Sequence, residues 1–148
     1  MHRIRLLCFV LIVLAAPFCH ARDLAIVVNK TNSASSLTAA ELEKILRAAT
    51  TWPDGKKVKV FLTNPESADQ KAILQRAYKM TAAEIKAIAE SHKAEIQIVS
   101  SDEVVLTMVE NNPGAVGIVN VYSINSQVKV LKVDEKLPME QGYLLHGN

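Results

Sequence analysis

Four histidines are the residues in this chain whose type most directly suggests metal chemistry. His2 and His20 lie in an N-terminal segment of different character from the rest. His92 and His146 are far apart in the sequence and have no nearby cysteine or paired-carboxylate motif. A bound metal needs several ligands in a fixed geometry, and this spacing does not supply them. The sequence therefore predicts no metal site, and both histidines are interpreted as surface residues.

Two pairs of carboxylates could in principle support acid–base catalysis, namely Glu41 with Glu43 and Asp102 with Glu103. Both pairs fall in the first turn of a predicted helix, where negative charge interacts favourably with the helix dipole. Helix capping therefore explains them better than catalysis. The chain also lacks a Gly-x-Ser-x-Gly nucleophile motif, a phosphate-binding Gly-rich loop before a lysine, and a His-Glu-x-x-His motif. We predict that the protein is not an enzyme and needs no cofactor.

Residues 1–21 have the composition of a secretory signal peptide. They combine a basic start, an apolar run and the small-x-small site Cys19-His20-Ala21, after which cleavage is expected. The apolar run is too short to span a bilayer comfortably. Lipid attachment at Cys19 is the alternative. We expect a periplasmic or secreted domain comprising residues 22–148, without a transmembrane segment.

Removal of this segment changes the chemistry that remains. Both cysteines, Cys8 and Cys19, leave with it, so neither a disulfide nor a thiol nucleophile is expected. Two arginines also leave, which brings the 17 basic residues of the full sequence close to the 15 acidic ones. A nearly neutral domain is not expected to bind nucleic acid through bulk charge.

Short apolar runs alternate with amphipathic helices along the rest of the chain. Three helices begin with a predicted capping box, in which a hydroxyl and a carboxylate three residues later bond each other's backbone amides. The boxes are Thr38 with Glu41, Thr81 with Glu84, and Ser100 with Glu103. A fourth helix is predicted to open at Asn64-Pro65. Strands are predicted at 23–29, 57–62, 94–99, 115–119 and 128–133, with a further possible strand at 143–145. The pattern indicates the α/β class, as a single three-layer domain with a mixed sheet of about five strands.

The stretch 100–119 carries the clearest structural pattern. Val105, Met108 and Val109 recur at helical spacing and are predicted to form a buried face. Pro113-Gly114 ends the helix in a turn, and a short apolar strand follows. Gly117 within that strand indicates a close approach of another element.

The sequence Asn112-Pro113-Gly114-Ala115-Val116-Gly117-Ile118-Val119 resembles the Asn-Pro-Gly-Ala-Ile-Gly-Tyr-Val signature of phosphate-type substrate-binding proteins of ABC importers. These belong to the type 2 periplasmic binding protein class. The first strand, the helix at Leu37-Thr38 and the turn at Trp52-Pro53-Asp54-Gly55 occur in the same order as in that family. The resemblance implies a domain like one lobe of a two-lobe binding protein, as in the short single-lobe relatives.

The resemblance also implies two groups of ligand-binding residues, because the family holds phosphate with backbone amides and hydroxyls at helix starts. The loop after the first strand supplies hydrogen-bonding groups at Asn29, Asn32, Ser33, Ser35 and Ser36. The turn after the 57–62 strand supplies Asn64 and Ser67. Here the chain departs from the family, because Pro65 lacks an amide and Glu66 is expected to place a negative charge at the anion position.

Two functions follow as hypotheses. The chain is either a periplasmic solute-binding module, for phosphate or a related small anion, that serves an ABC permease, or a ligand-free interaction module for a membrane sensor, porin or transporter.

Two further features leave alternatives open. Lys56, Lys57 and Lys59 are either a solvated strand face or an anion-steering patch, and Trp52 is either a packing residue or a stacking residue.

Overall fold

The structure, a computed structural model, describes residues 22–47 and 50–147. The predicted signal peptide lies outside these ranges. The described residues contain seven strands: β1 Leu24–Asn29, β2 Ser36–Leu37, β3 Lys59–Leu62, β4 Ile96–Ile98, β5 Ala115–Asn120, β6 Val128–Val130 and β7 Lys132–Val133. Their helices are α1 Ala39–Leu46, α2 Ala68–Tyr78, α3 Ala82–Ser91 and α4 Asp102–Asn111, and a 3-10 turn spans Val121–Ser123.

Five of the strands form one mixed sheet in the order β4-β3-β5-β1-β6. β3 runs parallel to β4 and β5, whereas β1 runs antiparallel to both of its neighbours, β5 and β6. The short strands β2 and β7 pair separately in parallel. The predicted α/β class and five-stranded mixed sheet are confirmed.

The sheet lies between two layers of helices. Side chains from one face of β1, such as Val27, pack with α4, and those from the other face, such as Ile26, pack with α1, α2 and α3. Every residue of β1 is buried, as expected for a strand covered on both faces. The predicted three-layer arrangement is therefore present.

Helix α4 packs on the sheet at Gly117. A Cβ atom at this position would come within 2.6 Å of Val105 Cγ1 and 2.9 Å of Val109 Cγ2, so no side chain fits. The predicted burial of Val105 and Val109 and the close approach at Gly117 are confirmed. The third buried residue is Leu106, whereas Met108 is only half-buried.

Two predicted helix starts are wrong by one to three residues. Helix α4 is capped by Ser101, whose hydroxyl accepts from the Val104 amide at 3.3 Å, and not by Ser100. Helix α2 begins at Ala68, because the Asn64 carboxamide oxygen accepts from the Glu66 amide at 3.0 Å and forms a turn first. Asparagine side chains compete with helix formation in this way.

The predicted N-terminal caps of α1 and α3 are present, whereas the last two predicted strands differ from the structure. At α1, Thr38 and Glu41 form both bonds of the capping box. At α3, the Thr81 hydroxyl accepts from the Glu84 amide at 3.2 Å. The predicted strand at 128–133 is divided into β6 and β7 at the buried Leu131, and residues 143–145 form turns in place of a strand.

The C-terminal segment is fastened to the start of β1 through Asp23, which is 3% exposed. Its carboxylate accepts from the backbone amides of Met139 at 2.6 Å and Gly147 at 3.1 Å, and lies 2.6 Å from His146 Nδ1. The Tyr143 hydroxyl donates to the Leu24 carbonyl at 2.8 Å, and burial raises the pKa of this phenol well above its ordinary value.

Within the described ranges, the structure contains no helix of the length and apolarity that a membrane span requires.

Candidate functional site

The two groups of predicted ligand residues lie at opposite ends of the sheet. Leu62, at the end of β3, is level with Ile118 in β5, and Ile118 is level with Ile26 in β1. Because β1 runs in the opposite direction, its chain continues away from the Leu62 end. Asn29 lies three residues beyond Ile26, which is about 10 Å along the strand. A single copy of the protein therefore does not bring the two groups of predicted ligand residues together in one site.

Asn29 supports the fold at its end of the sheet. Its side-chain amide donates to the carbonyls of Val109 at 3.0 Å and Glu110 at 2.8 Å, in the last turn of α4. Its carboxamide oxygen accepts from the amide and the hydroxyl of Thr31. The Val109 carbonyl also accepts from the Asn112 amide at 3.4 Å, so Asn29 adds a second donor there and caps the Glu110 carbonyl at the helix end. The side chain that was predicted to bind ligand therefore serves as a cap between β1 and α4.

The rest of this loop is less closely tied to the fold. The buried Asn32 uses its carboxamide oxygen to accept from the Ala34 amide at 2.8 Å. Ser33 and Ser35 are exposed, and Ser36 is half-buried in β2. The structure thus places these residues on a surface loop and a short strand, and not around a common recess.

The neighbouring lysines and Trp52 lie at this same end. Lys56, Lys57 and Lys59 are exposed around a recess beside the Asn112-Pro113-Gly114 turn. Trp52 is buried, and its indole donates to the Gly114 carbonyl at 3.1 Å. This contact joins the two turns, so Trp52 has a packing role here.

A cavity of about 280 Å³ lies at the opposite end, where β3 and β5 finish. In open α/β sheets, the carboxyl ends of the strands are the usual position for ligands. The polar residues that line it come from four segments of the chain: Arg22 before β1, Ser67 and Gln70 at the start of α2, Asp102 at the start of α4, and Asn120, Tyr122 and Ser123 at and after the end of β5. This cavity is the candidate functional site.

The start of α2 offers hydrogen-bonding groups to the cavity. Ser67 occupies the N-cap position, but its side chain makes no capping hydrogen bond. Gln70 is 7% exposed and donates through Nε2 to the Thr63 hydroxyl at 2.6 Å. Its carboxamide oxygen Oε1, which is an acceptor, has no partner within residues 22–47 and 50–147. An unpaired buried polar atom is costly, and a ligand in the cavity is one means of satisfying it.

The charged groups of the cavity have opposite signs. Asp102 Oδ2 accepts from the Asn120 amide at 2.9 Å and from the Ser123 hydroxyl at 2.7 Å, which fixes its orientation. The guanidinium of Arg22 lies 6.0 Å from the centre of the Tyr122 ring. Among the side chains that the structure describes, the cavity therefore combines one cation and one anion with the positive end of the α2 dipole.

The predicted second ligand group is only partly at this cavity. Ser67 lines it, whereas Asn64 is exposed and forms the turn before α2. Glu66 is also exposed and lies 2.8 Å from Lys86, whose hydrogen bond and charge lower the pKa of the carboxyl. The Glu66 carboxylate is therefore paired with Lys86 in α3 and does not line the cavity, and the expectation that it lies at an anion position stays a prediction. The carboxylate at the cavity is that of Asp102.

Sequence reasoning missed most of the cavity. Arg22, Gln70, Asp102, Asn120 and Ser123 gave no motif, and Asp102 was interpreted only as a residue of the first helical turn. The usable signal was that Asn120 ends a buried strand and Ser123 follows three residues later. No group of three potential metal ligands occurs in the part of the chain that the structure describes.

Comparison with solved structures shows which fold this arrangement belongs to. The ABC-type phosphate transport receptor from Vibrio cholerae aligns with a TM-score of 0.69 at 22% identity, over 86% of this chain and 54% of that one. PstS from Borrelia burgdorferi aligns with a TM-score of 0.68 at 17% identity, over 86% of this chain and 55% of that one. A phosphate-binding protein from Stenotrophomonas maltophilia aligns with a TM-score of 0.60 at 16% identity, over 80% and 40% of the respective chains.

These likenesses establish the fold. The chain spans about half the length of the two receptor structures that it matches over 86% of its own length. A search of curated proteins finds no match. A sequence model described as "PBP superfamily domain" matches residues 14–144, which include the whole sheet and every residue of the cavity. The chain therefore belongs to the PBP superfamily.

Proposed function

We propose that this protein is a solute-binding module that holds a small polar solute in the cavity at the carboxyl ends of β3 and β5. The observation that carries this proposal is the group of polar side chains that line one recess of about 280 Å³, including the buried Gln70 amide with one unpartnered end. The role is binding and not catalysis. It is the role named for the receptor from Vibrio cholerae, which has the same fold.

Phosphate, or a related small anion, is the first candidate ligand because the similar solved structures are named as phosphate receptors. The start of α2 and the Arg22 guanidinium favour an anion. The Asp102 carboxylate opposes tight binding of a doubly charged anion. We therefore expect phosphate to bind weakly, because the Asp102 carboxylate repels it.

A thermal-unfolding comparison of phosphate and sulfate tests this expectation. A micromolar site in about 10 mM phosphate would stabilise the fold by about 5 kcal/mol. For a domain of this size, the melting temperature would then rise by well over about ten degrees. We expect phosphate and sulfate at equal ionic strength to give the same small shift. A large rise specific to phosphate would contradict the expectation and identify phosphate as the solute.

We also propose that the protein is exported and serves an ABC permease, since its fold is that of an ABC-type transport receptor. Cleavage after Ala21 would leave Arg22 as the first residue, next to the cavity that it lines. Mass spectrometry of the protein isolated from the periplasm is expected to find an N-terminus at Arg22. An intact N-terminal segment, or a lipidated Cys19, would contradict this proposal.

An interaction module for a membrane protein is the second candidate function. Ile98, Val104 and Tyr122 are exposed, and all three lie at the carboxyl end of the sheet, where Tyr122 is 66% exposed. Exposed apolar side chains grouped at one end are typical of a protein-binding surface. Genes for a permease and an ATPase next to the gene of this protein would favour transport, and a gene for a sensor or porin would favour the second function.

A further inference from the structure

The candidate cavity contains groups suited to both a negative and a positive part of one ligand. We infer, on the basis of the proposed solute-binding function, that its ligand is a small zwitterion of the α-amino acid type and not inorganic phosphate. The structural feature behind this inference is that Arg22 and the uncapped start of α2 line the same cavity as the Asp102 carboxylate.

The anion-binding half consists of two groups that do not depend on one another. Helix α2 has 11 residues, and its N-cap side chain makes no capping hydrogen bond to the first backbone amides. Such amides bind carboxylates and other oxyanions. Arg22 adds a guanidinium, which suits a carboxylate through paired donors. The unpartnered atom of Gln70, Oε1, is a hydrogen-bond acceptor, so it suits an ammonium group and belongs to the cation-binding half.

The charged group of the cation-binding half is the Asp102 carboxylate. Two donors, the Asn120 amide and the Ser123 hydroxyl, bond the single oxygen Oδ2. A carboxylate has about four acceptor positions, so capacity remains for an ammonium group. Phosphate places negative charge throughout its volume and would meet Asp102 at a short distance within a recess, where Coulomb repulsion is stronger than in bulk water. A zwitterion avoids this repulsion because its ammonium group faces the aspartate.

The size of the cavity agrees with a ligand of this class. A volume of about 280 Å³ corresponds to roughly nine water molecules of liquid volume. That space accommodates an amino acid of about five to ten heavy atoms and leaves room for water beside it. The exposed ring of Tyr122 at the cavity provides an apolar surface for an amino-acid side chain.

The test is a binding screen by thermal unfolding and calorimetry on the purified protein, with the standard L-amino acids and inorganic phosphate as separate probes. At least one amino acid is expected to bind, and Asp102→Asn is expected to weaken that binding by roughly ten- to hundredfold. The amide oxygen in this variant still accepts from Asn120 and Ser123, so the fold should be retained. Glu103→Gln is the matched control, since it removes the same charge from the next residue of α4, which does not line the cavity. We expect this control to bind like the parent.

The two variants distinguish the possible failures. Phosphate binding that strengthens in Asp102→Asn, without amino-acid binding, would overturn the zwitterion inference and leave the solute-binding function intact. The absence of binding by every amino acid and by phosphate would overturn the inference and count against the proposed function as well. Amino-acid binding that Asp102→Asn leaves unchanged, or that Glu103→Gln weakens equally, would place the ligand elsewhere and also overturn the inference.

Discussion

Replacing Val109 with aspartate is expected to lower the free energy of unfolding by several kcal/mol, on the order of 4. Val109 is 0% exposed and lies against Gly117, where even an added Cβ would come within 2.9 Å of its side chain. The new carboxylate would be buried without a partner between α4 and the sheet. Urea unfolding with a common m-value measures this loss as a lower midpoint.

The neighbouring residue provides the control for this prediction. Glu110 is exposed on the same helix, and only its backbone carbonyl takes part in the contact with Asn29. Glu110→Ala is therefore expected to change the stability by less than about 0.5 kcal/mol. Equal urea midpoints for the two variants would mean that the buried face of α4 is assigned incorrectly.

Replacing Asp23 with alanine is expected to lower the free energy of unfolding by about 2 to 4 kcal/mol. The variant would leave the backbone amides of Met139 and Gly147 without the buried carboxylate that accepts from them, and would remove the partner of His146. Unsatisfied buried donors carry the full cost of their lost hydration. Because a Cβ at Gly147 would already touch the Arg22 backbone at 2.5 Å, loosening this segment is also expected to disturb the arginine at the cavity.

Glu140→Ala is the matched control for the Asp23 variant. Glu140 is a second carboxylate of the C-terminal segment, and it accepts from the Leu137 amide at 2.6 Å, but it is exposed. Water can replace its hydrogen bond, so the expected loss is below about 1 kcal/mol. Chemical denaturation of both variants provides the comparison. If Asp23→Ala unfolds at the same denaturant concentration as Glu140→Ala, the buried carboxylate does not hold the C-terminal segment in place.

Local signals in the sequence were sufficient for the fold class and for the starts of two of the four helices, α1 and α3. The Thr38 and Glu41 capping box forms as predicted, since it involves only residues three apart and depends little on the rest of the chain. The burial of Val105 and Val109 was predictable from helical spacing for the same reason. Errors arose where two local patterns compete, as at Asn64, which forms a turn of its own ahead of α2.

The location of the candidate site was decided by the tertiary structure. A strand buried on both faces, such as β1, has the same apolar pattern whichever way it runs beside its neighbours, so its sequence does not encode its direction in the sheet. The antiparallel pairing of β1 with β5 places Asn29 at one end and Arg22 at the other, next to Asp102 and Ser123. The cavity residues come from segments as much as a hundred positions apart. The sequence by itself therefore determined the layers, the buried faces and the family resemblance, whereas long-range strand pairing decided which polar side chains share a cavity.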